Sequence, residues 1–361
     1  MSKKILIVGP AWVGDMVMAQ CLFKLLKQQQ PDVIIDVLAP VWSLPLLARM
    51  PEVSSSIIMP LGHGQLDLRE RYCLGKTLRV KQYDQGIVLP NSFKSALILW
   101  WANIPVRTGW RGEMRYFVLN DRRILDKIRY PLMVERFMAL GLSAHDILPK
   151  EYPIPELHIS MKSQVAALAK HQLSHIINLE GQSLENVVEP QPLKNLTPTL
   201  PILAICPGAE FGPAKRWPDD YYAAVANIKL EAGWQVWIFG SEKDCAVAEH
   251  IMQLTNHRCV NLAGRTSLEE AIDLLSLATV VVSNDSGLMH IAAALKKPLI
   301  AVYGPTSPAF TPPLSVQAKV LFASVECQPC FERICPLKHH RCMFELRPER
   351  VLSAINEVIL T

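Results

Sequence analysis

The sequence predicts an α/β protein built from two βαβ domains. Three observations carry that prediction. The first is size and composition: 361 residues, 50% hydrophobic and 19% charged, exceed one ordinary core and suit two cores with well-buried sheets. The second is a repeated pattern in which a short apolar run ends at a turn residue and helical spacing follows. The third is that this pattern stops at a polar, Pro-bearing stretch and then starts again.

Taken in order, Lys4 to Gly9 reads as a buried parallel strand, Met16 to Leu26 as a helix, Val33 to Leu38 as a second strand and Gln85 to Leu89 as a later one. Strand, helix, strand at this spacing is the βαβ unit. Residues 186–201, with Pro190, Pro192, Pro198 and Pro201, read as a linker. Beyond it, Ile202 to Cys206, Gln235 to Phe239, Thr279 to Ser283 and Leu299 to Tyr303 are predicted strands. The capping pattern of Thr266 with Glu269 starts one intervening helix. Pro348 to Leu360 is the final helix, begun by a first-turn proline. The expected organisation is a first domain over 1–185, a linker over 186–201, a second domain over 202–345 and a C-terminal helix over 346–361.

The N-terminal run is too short for a secretion signal, and Pro10 and Trp12 stand where small residues would be needed. The apolar stretch Ala96 to Trp101 falls far short of a membrane span. A soluble, cytoplasmic protein is expected. The net charge of +4 is uneven: residues 1–160 hold 20 Lys/Arg against 14 Asp/Glu, and the remainder 17 against 19. A basic first half is either ordinary surface chemistry or the footprint of an anionic partner.

Ligands of open α/β sheets bind beyond the carboxyl ends of the strands, so the segments after each strand are the candidates. Gly9-Pro10-Ala11-Trp12-Val13-Gly14-Asp15 lacks the dinucleotide fingerprint and puts one carboxylate at a helix start. Asp15 is either a first-turn acid favoured by the helix dipole or a general base for a hydroxyl nucleophile. The loop Pro207 to Pro218 is Gly-rich and carries Lys215 and Arg216, which suits phosphate oxygens. Ser283 to His290 joins a strand directly to a helix. Ser286 and Gly287 there present main-chain N–H groups and small side chains to a diphosphate, while Asp285 or Ser286 also reads as a plain cap. His290, about a turn further on, is either packed or catalytic. Glu242 is either a ribose contact or a first-turn acid. Asn91 and Lys94 follow a first-domain strand, and Arg107, Arg111 and Arg115 come soon after, interleaved with Gly and Trp. They form either an anion and carbohydrate surface or a solvated basic loop. Cys327, Cys330, Cys335 and Cys342 cluster beside His339 and His340. In a reducing compartment they read as free thiols or as a structural tetrahedral zinc site, not a catalytic one.

Five blocks together resemble glycosyltransferase family 9, the ADP-heptose:lipopolysaccharide heptosyltransferases. They are Gly9 to Asp15, Leu89 to Ala96, Arg107 to Tyr116, Cys206 to Pro218 and Asn284 to His290. The resemblance covers nearly the whole chain, and the second and third blocks match the branch that adds the second heptose. It implies a GT-B fold, two Rossmann-like domains facing a cleft, with acceptor on the first, nucleotide on the second and the last helix returning to the first. It implies an inverting enzyme that moves L-glycero-D-manno-heptose from ADP-heptose to the first heptose of the lipopolysaccharide inner core. By position it implies Asp15 as base and Lys215 as diphosphate contact. It further implies Ser286, Gly287 and Leu288 as the phosphate-binding helix start, Glu242 on the ribose and Thr266 near adenine. Asp285 and His290 lie beside the donor, and Asn91, Lys94, Arg107, Arg111 and Arg115 face the acceptor. No Asp-x-Asp pair is present, so no catalytic metal or other cofactor is expected. The expected partners are the donor and a phosphorylated glycolipid, with peripheral contact at the inner face of the inner membrane and no nucleic acid.

Overall fold

The computed structural model describes residues 2–62, 64–144, 146–177 and 196–360. It divides into two compact units. The first is Met1–Glu156 with Ala309–Pro312, and the second is Leu157–Pro308 with Pro313–Thr361. The division falls ahead of the expected linker, of which residues 186–195 lie outside the described residues. Residues from Leu157 onward join the second unit through specific contacts. Leu157 N donates to Ala294 O at 3.0 Å, and Gln164 Nε2 to Ser276 Oγ at 2.7 Å.

In the first unit the strands are β1 (Lys4–Val8), β2 (Ile34–Pro40), β3 (Ser55–Met59), β4 (Gln85–Val88), β5 (Val106–Trp110) and β6 (Asp121–Arg123). They form one parallel sheet in the order β3-β2-β1-β4-β5-β6. The second unit repeats the plan with β7 (Ile202–Cys206), β8 (Gln235–Ile238), β9 (Val260–Asn261), β10 (Val280–Asn284), β11 (Leu299–Tyr303) and β12 (Ala318–Phe322). Its order is β12-β11-β10-β7-β8-β9. Each sheet therefore runs third, second, first, fourth, fifth, sixth, the Rossmann order.

The central strands are largely apolar because helices cover both faces. Ile5 to Val8, all of β7 and all of β11 are buried. The helix Val13–Gln29 follows β1 and buries Met16 to Phe23 without a break. The terminal helix Pro348–Leu360 begins at its proline, as expected. Its buried face, Val351, Ala354 and Ile355, lies in the core of the second unit with Leu203, Val236 and Trp217.

Two local expectations shift. The helix Leu268–Leu275 is capped one residue later than expected: Ser267 Oγ accepts from Glu270 N at 3.2 Å, and Glu270 Oε2 accepts from Ser267 N at 3.0 Å. Thr266 turns its hydroxyl back to Leu262 O at 3.3 Å instead. The stretch Val106–Trp110, for which a solvated basic loop was one of two readings, is strand β5. No helix among the described residues is long and apolar enough to cross a membrane.

Candidate active site

The sheet order fixes where ligands can bind. In the second unit it reverses between β7 and β10, so the segments following those two strands are neighbours at the carboxyl edge. Asn284, the last residue of β10, joins them. Its buried amide donates to Pro207 O at 2.7 Å, while its Oδ1 accepts from Trp217 N at 3.2 Å and from Tyr222 OH at 3.0 Å. Those bonds hold the loop after β7 in shape, so Asn284 is a loop anchor and its polar atoms are internally engaged.

The loop so held delivers Lys215. Its Nζ lies 2.6 Å from Asp285 Oδ2 and donates to Asp285 O at 3.3 Å. The same Oδ2 accepts from Thr306 Oγ1 at 2.6 Å. Lys215 also stands over the Phe211 ring at 4.9 Å, whose other cation is Arg333 at 5.3 Å. Lys215 and Asp285 are both largely buried, so this is a rigid ammonium with few alternative positions. Thr306 was not expected from the sequence. It follows β11 through Gly304 and Pro305, and the carboxyl-end rule that located the other loops applies to it equally.

Next to this group the helix Gly287–Ala294 starts at Ser286, whose extended backbone is the N-cap and whose side chain makes no capping bond. The Ser286 hydroxyl instead meets Ser283 Oγ at 3.2 Å. A helix start not capped by its own side chain is the arrangement that receives phosphate oxygens. His290 is buried one turn on. Burial, reinforced by Lys215 and opposed by Asp285, lowers its pKa to about 4. It is neutral at ordinary pH, so Lys215 is the positive charge of this group. Leu288 is half-buried.

The loops after β8 and β9 also pack together. Gly264 N donates to Gly240 O at 3.0 Å. Gly264 adopts φ +67°, and a Cβ there would come within 3.2 Å of Glu242 Cα. Exposed Glu242 and half-buried Thr266 thus sit on adjoining loops. Beneath Glu242, Asp244 accepts from Ser241 N at 2.9 Å and lies 3.6 Å from Arg216. A Cβ on Gly208 would fall 2.4 Å from Asp244 Oδ2. Asp244 is thus a packing strut between the loops after β7 and β8, and its spacing carried no sequence signal.

In the first unit the sheet order reverses between β1 and β4. Half-buried Asp15 lies in the first turn of the helix after β1. The blocks after β4 and β5 meet: Phe93 N donates to Glu113 Oε2 at 2.6 Å, and Arg115 donates to Pro90 O at 2.9 Å and to Asn91 Oδ1 at 3.2 Å. Arg115 also donates to Trp110 O and is only 1% exposed. Arg107 donates to Val118 O and Ile104 O, both at 2.6 Å. These two guanidiniums, expected to face a ligand, are directed to main-chain carbonyls and hold the loops together. Asn91 and Arg111 are exposed, and Lys94 is half-buried.

The profile described as glycosyltransferase family 9 (heptosyltransferase) matches residues 71–341. The chain is 46% identical over 365 residues to lipopolysaccharide heptosyltransferase 2 of Salmonella typhimurium, covering 99% of this chain and 98% of that one. It is 47% identical over 361 residues to lipooligosaccharide heptosyltransferase 2 of Haemophilus influenzae, covering 98% and 99%. The solved structure of Escherichia coli ADP-heptose lps heptosyltransferase II superimposes with a TM-score of 0.83 at 43% identity, covering 99% of this chain and 98% of that one. The chain belongs to glycosyltransferase family 9. Its two parallel six-stranded sheets are those of a GT-B glycosyltransferase.

For the cysteine cluster of this family 9 chain the sequence left two readings, free thiols or a structural zinc site. Cys327, Cys330, Cys335 and Cys342 line a common small cavity with Ala214 and Pro305, but all are free thiols. Among the described residues no three His, Cys, Asp or Glu side chains are grouped so that they could hold a metal ion. Cys342 is buried in the core of the second unit and Cys327 packs against it, where sulfur serves as a small apolar group. Burial and the other three sulfurs push the Cys342 thiol up to about 11. The segment supports the loop after β7: Ala214 N donates to Arg333 O at 3.1 Å, and a Cβ on Gly212 would lie 2.5 Å from that same oxygen.

Proposed function

We propose that this glycosyltransferase moves L-glycero-D-manno-heptose from ADP-heptose to the first heptose of the lipopolysaccharide inner core, with inversion. The names of full-length relatives support a heptose, an ADP-heptose donor and a lipopolysaccharide-type acceptor, and the sugar's configuration and the acceptor position follow from the resemblance of the sequence blocks. The observation that carries the chemistry is the buried Lys215 ammonium, held by Asp285 next to a helix start at the switch point of the second sheet.

In this reading the diphosphate lies against Lys215 and the N–H groups of Ser286, Gly287 and Leu288. Glu242 accepts from the ribose hydroxyls and Thr266 borders the adenine. Asn91, Lys94 and Arg111 meet the phosphorylated acceptor, and Arg107 and Arg115 shape the loops that present them. The Asp15 carboxylate takes the proton of the acceptor 3-hydroxyl as that oxygen attacks the anomeric carbon. The bond from that carbon to ADP breaks on the opposite face, and ADP leaves with the electron pair. Lys215 and the helix start stabilise the charge that builds on the diphosphate. His290 stays neutral and packs beneath them. The enzyme works in the cytoplasm at the inner face of the inner membrane, where a lipid-linked acceptor is presented.

The test is incubation of the purified enzyme with ADP-heptose and a core truncated after the first heptose, followed by mass analysis. One added heptose with release of ADP is expected. Addition only to a core lacking any heptose would reject the acceptor assignment, and transfer from another nucleotide sugar alone would reject the donor.

A further inference from the structure

The edge of the first sheet carries a surface that neither the core nor the proposed site accounts for. Strand β6 is the last strand of that sheet and only three residues long. The turns on either side of it expose large apolar side chains: Met114 is 79% accessible, Phe117 91%, Ile124 69% and Ile128 93%. Apolar groups so exposed and so close along the chain mark an interaction surface. The cations are concentrated in the same stretch. Residues 106–130 contain seven Arg or Lys against three Asp or Glu, a surplus equal to the net charge of the whole chain, +4.

The acids of this stretch are engaged locally. Asp121 is bound by Arg123 at 2.9 Å and Thr108 at 2.8 Å. Asp126 accepts from Ile128 N at 2.9 Å and Arg129 N at 3.1 Å, and Glu113 accepts from Phe93 N. The outward cations are not offset in this way. Arg122, Lys127 and Arg129 are exposed, and none forms an ion pair among the described residues. Arg122 lies over the Tyr116 ring at 5.7 Å, and Arg129 over the Tyr130 ring at 5.2 Å. These two charges thus stand beside aromatic bodies, the composition that sits at a lipid headgroup boundary.

We propose that the β6 edge, through Phe117 and Ile128 with Arg122 and Lys127, is a docking face for an anionic phospholipid bilayer. The apolar tips enter the headgroup region while the cations meet lipid phosphates. This rests on the reading of the acceptor as lipid-linked, and it names the surface that would bring the enzyme to it. A second copy of the chain is a poorer occupant, because a two-fold contact through this face would set its cations against themselves. A three-residue edge is also too short to recruit a strand from another protein.

Co-sedimentation of the full chain with vesicles tests the proposal. Wild type is expected to bind phosphatidylglycerol–phosphatidylcholine vesicles in preference to phosphatidylcholine alone, and less as salt rises. The variants Phe117→Ser/Ile128→Ser and Arg122→Glu/Lys127→Glu are each expected to lose about tenfold or more in partitioning. Both should keep native circular dichroism and normal turnover of a deacylated, water-soluble acceptor. Wild-type binding that ignores lipid charge overturns the proposal, as do variants that bind like wild type. So does a wild-type dimer that these substitutions dissociate. Failure of wild type to turn over the deacylated acceptor would instead reject the activity reading, since the vesicle measurement needs no turnover.

Discussion

At the scale of single residues the proposed donor side is a chain of dependence. Thr306 and Lys215 share one carboxylate oxygen of Asp285. Thr306→Val removes one donor at nearly constant volume. It should cost about 1 kcal/mol in positioning, seen as roughly a fivefold loss in kcat/KM for the donor; unchanged donor kinetics would dismiss Thr306 as a positioning residue. On the acceptor side, Asp15→Ala should lower kcat roughly 10²–10⁴-fold with donor affinity intact by calorimetry. Near-normal turnover would end its assignment as base. His290 offers a pH test. Its folded pKa of about 4 lies below the ordinary 6.5, so the unfolded chain protonates first as pH falls. The associated stability is complete above pH 6.5 and is lost toward pH 4, on the order of 3 kcal/mol in all. Urea unfolding should therefore show His290→Gln losing less stability than wild type between about pH 7 and pH 4.5; equal losses would contradict it. Little of this was visible beforehand. Lys215 and Asp285 were marked as candidates from their loops, but they are 70 residues apart in the chain and meet only because their strands are neighbours in the sheet. The loop-holding bonds of Arg115 were not legible, because an arginine that binds a ligand and one that binds carbonyls look alike in a sequence.

At the scale of elements, the loop after β7 depends on the cysteine-bearing segment behind it. Gly212 is required there because any Cβ meets the Arg333 main chain. Gly212→Ala must displace one backbone or the other. It should raise the donor KM roughly tenfold and lower the melting temperature, with overpacking costs of about 1–3 kcal/mol; a variant with both values unchanged would show the two segments to be independent. The elements themselves were largely legible. Ile202–Cys206 and Leu299–Tyr303 are strands with the expected limits, because buried parallel strands leave continuous apolar runs. Strands β6 and β9 left no such record, being only three and two residues long. The cap of the helix Leu268–Leu275 was misplaced by one residue because Thr266 and Ser267 offer the same chemistry and Glu269 and Glu270 the same partner. Local geometry alone chose between them.

At the scale of the whole molecule, Trp217 ties the site to the stability of its unit. It is fully buried, donates from Nε1 to Leu346 O at 2.7 Å and stacks edge-on to Tyr222 at 4.9 Å. Trp217→Ala should destabilise the second unit by about 3–5 kcal/mol in chemical denaturation. A loss below about 1 kcal/mol would mean that the core closes without it. The sequence by itself determined the fold class, the two-unit plan and the family, because apolar runs and loop blocks are local patterns. It also marked the turn at Asn284 to Gly287 and the Lys215 loop as places where a diphosphate fits. Only the tertiary structure decided which side chains meet there. The order of parallel strands sets two distant loops side by side, and that adjacency made Asn284 an anchor, Thr306 a partner and Arg115 a support. It also left one basic, apolar edge exposed in the first unit. Chain-local chemistry can be read along a sequence, whereas pairing across a sheet edge exists only once the strands are assembled.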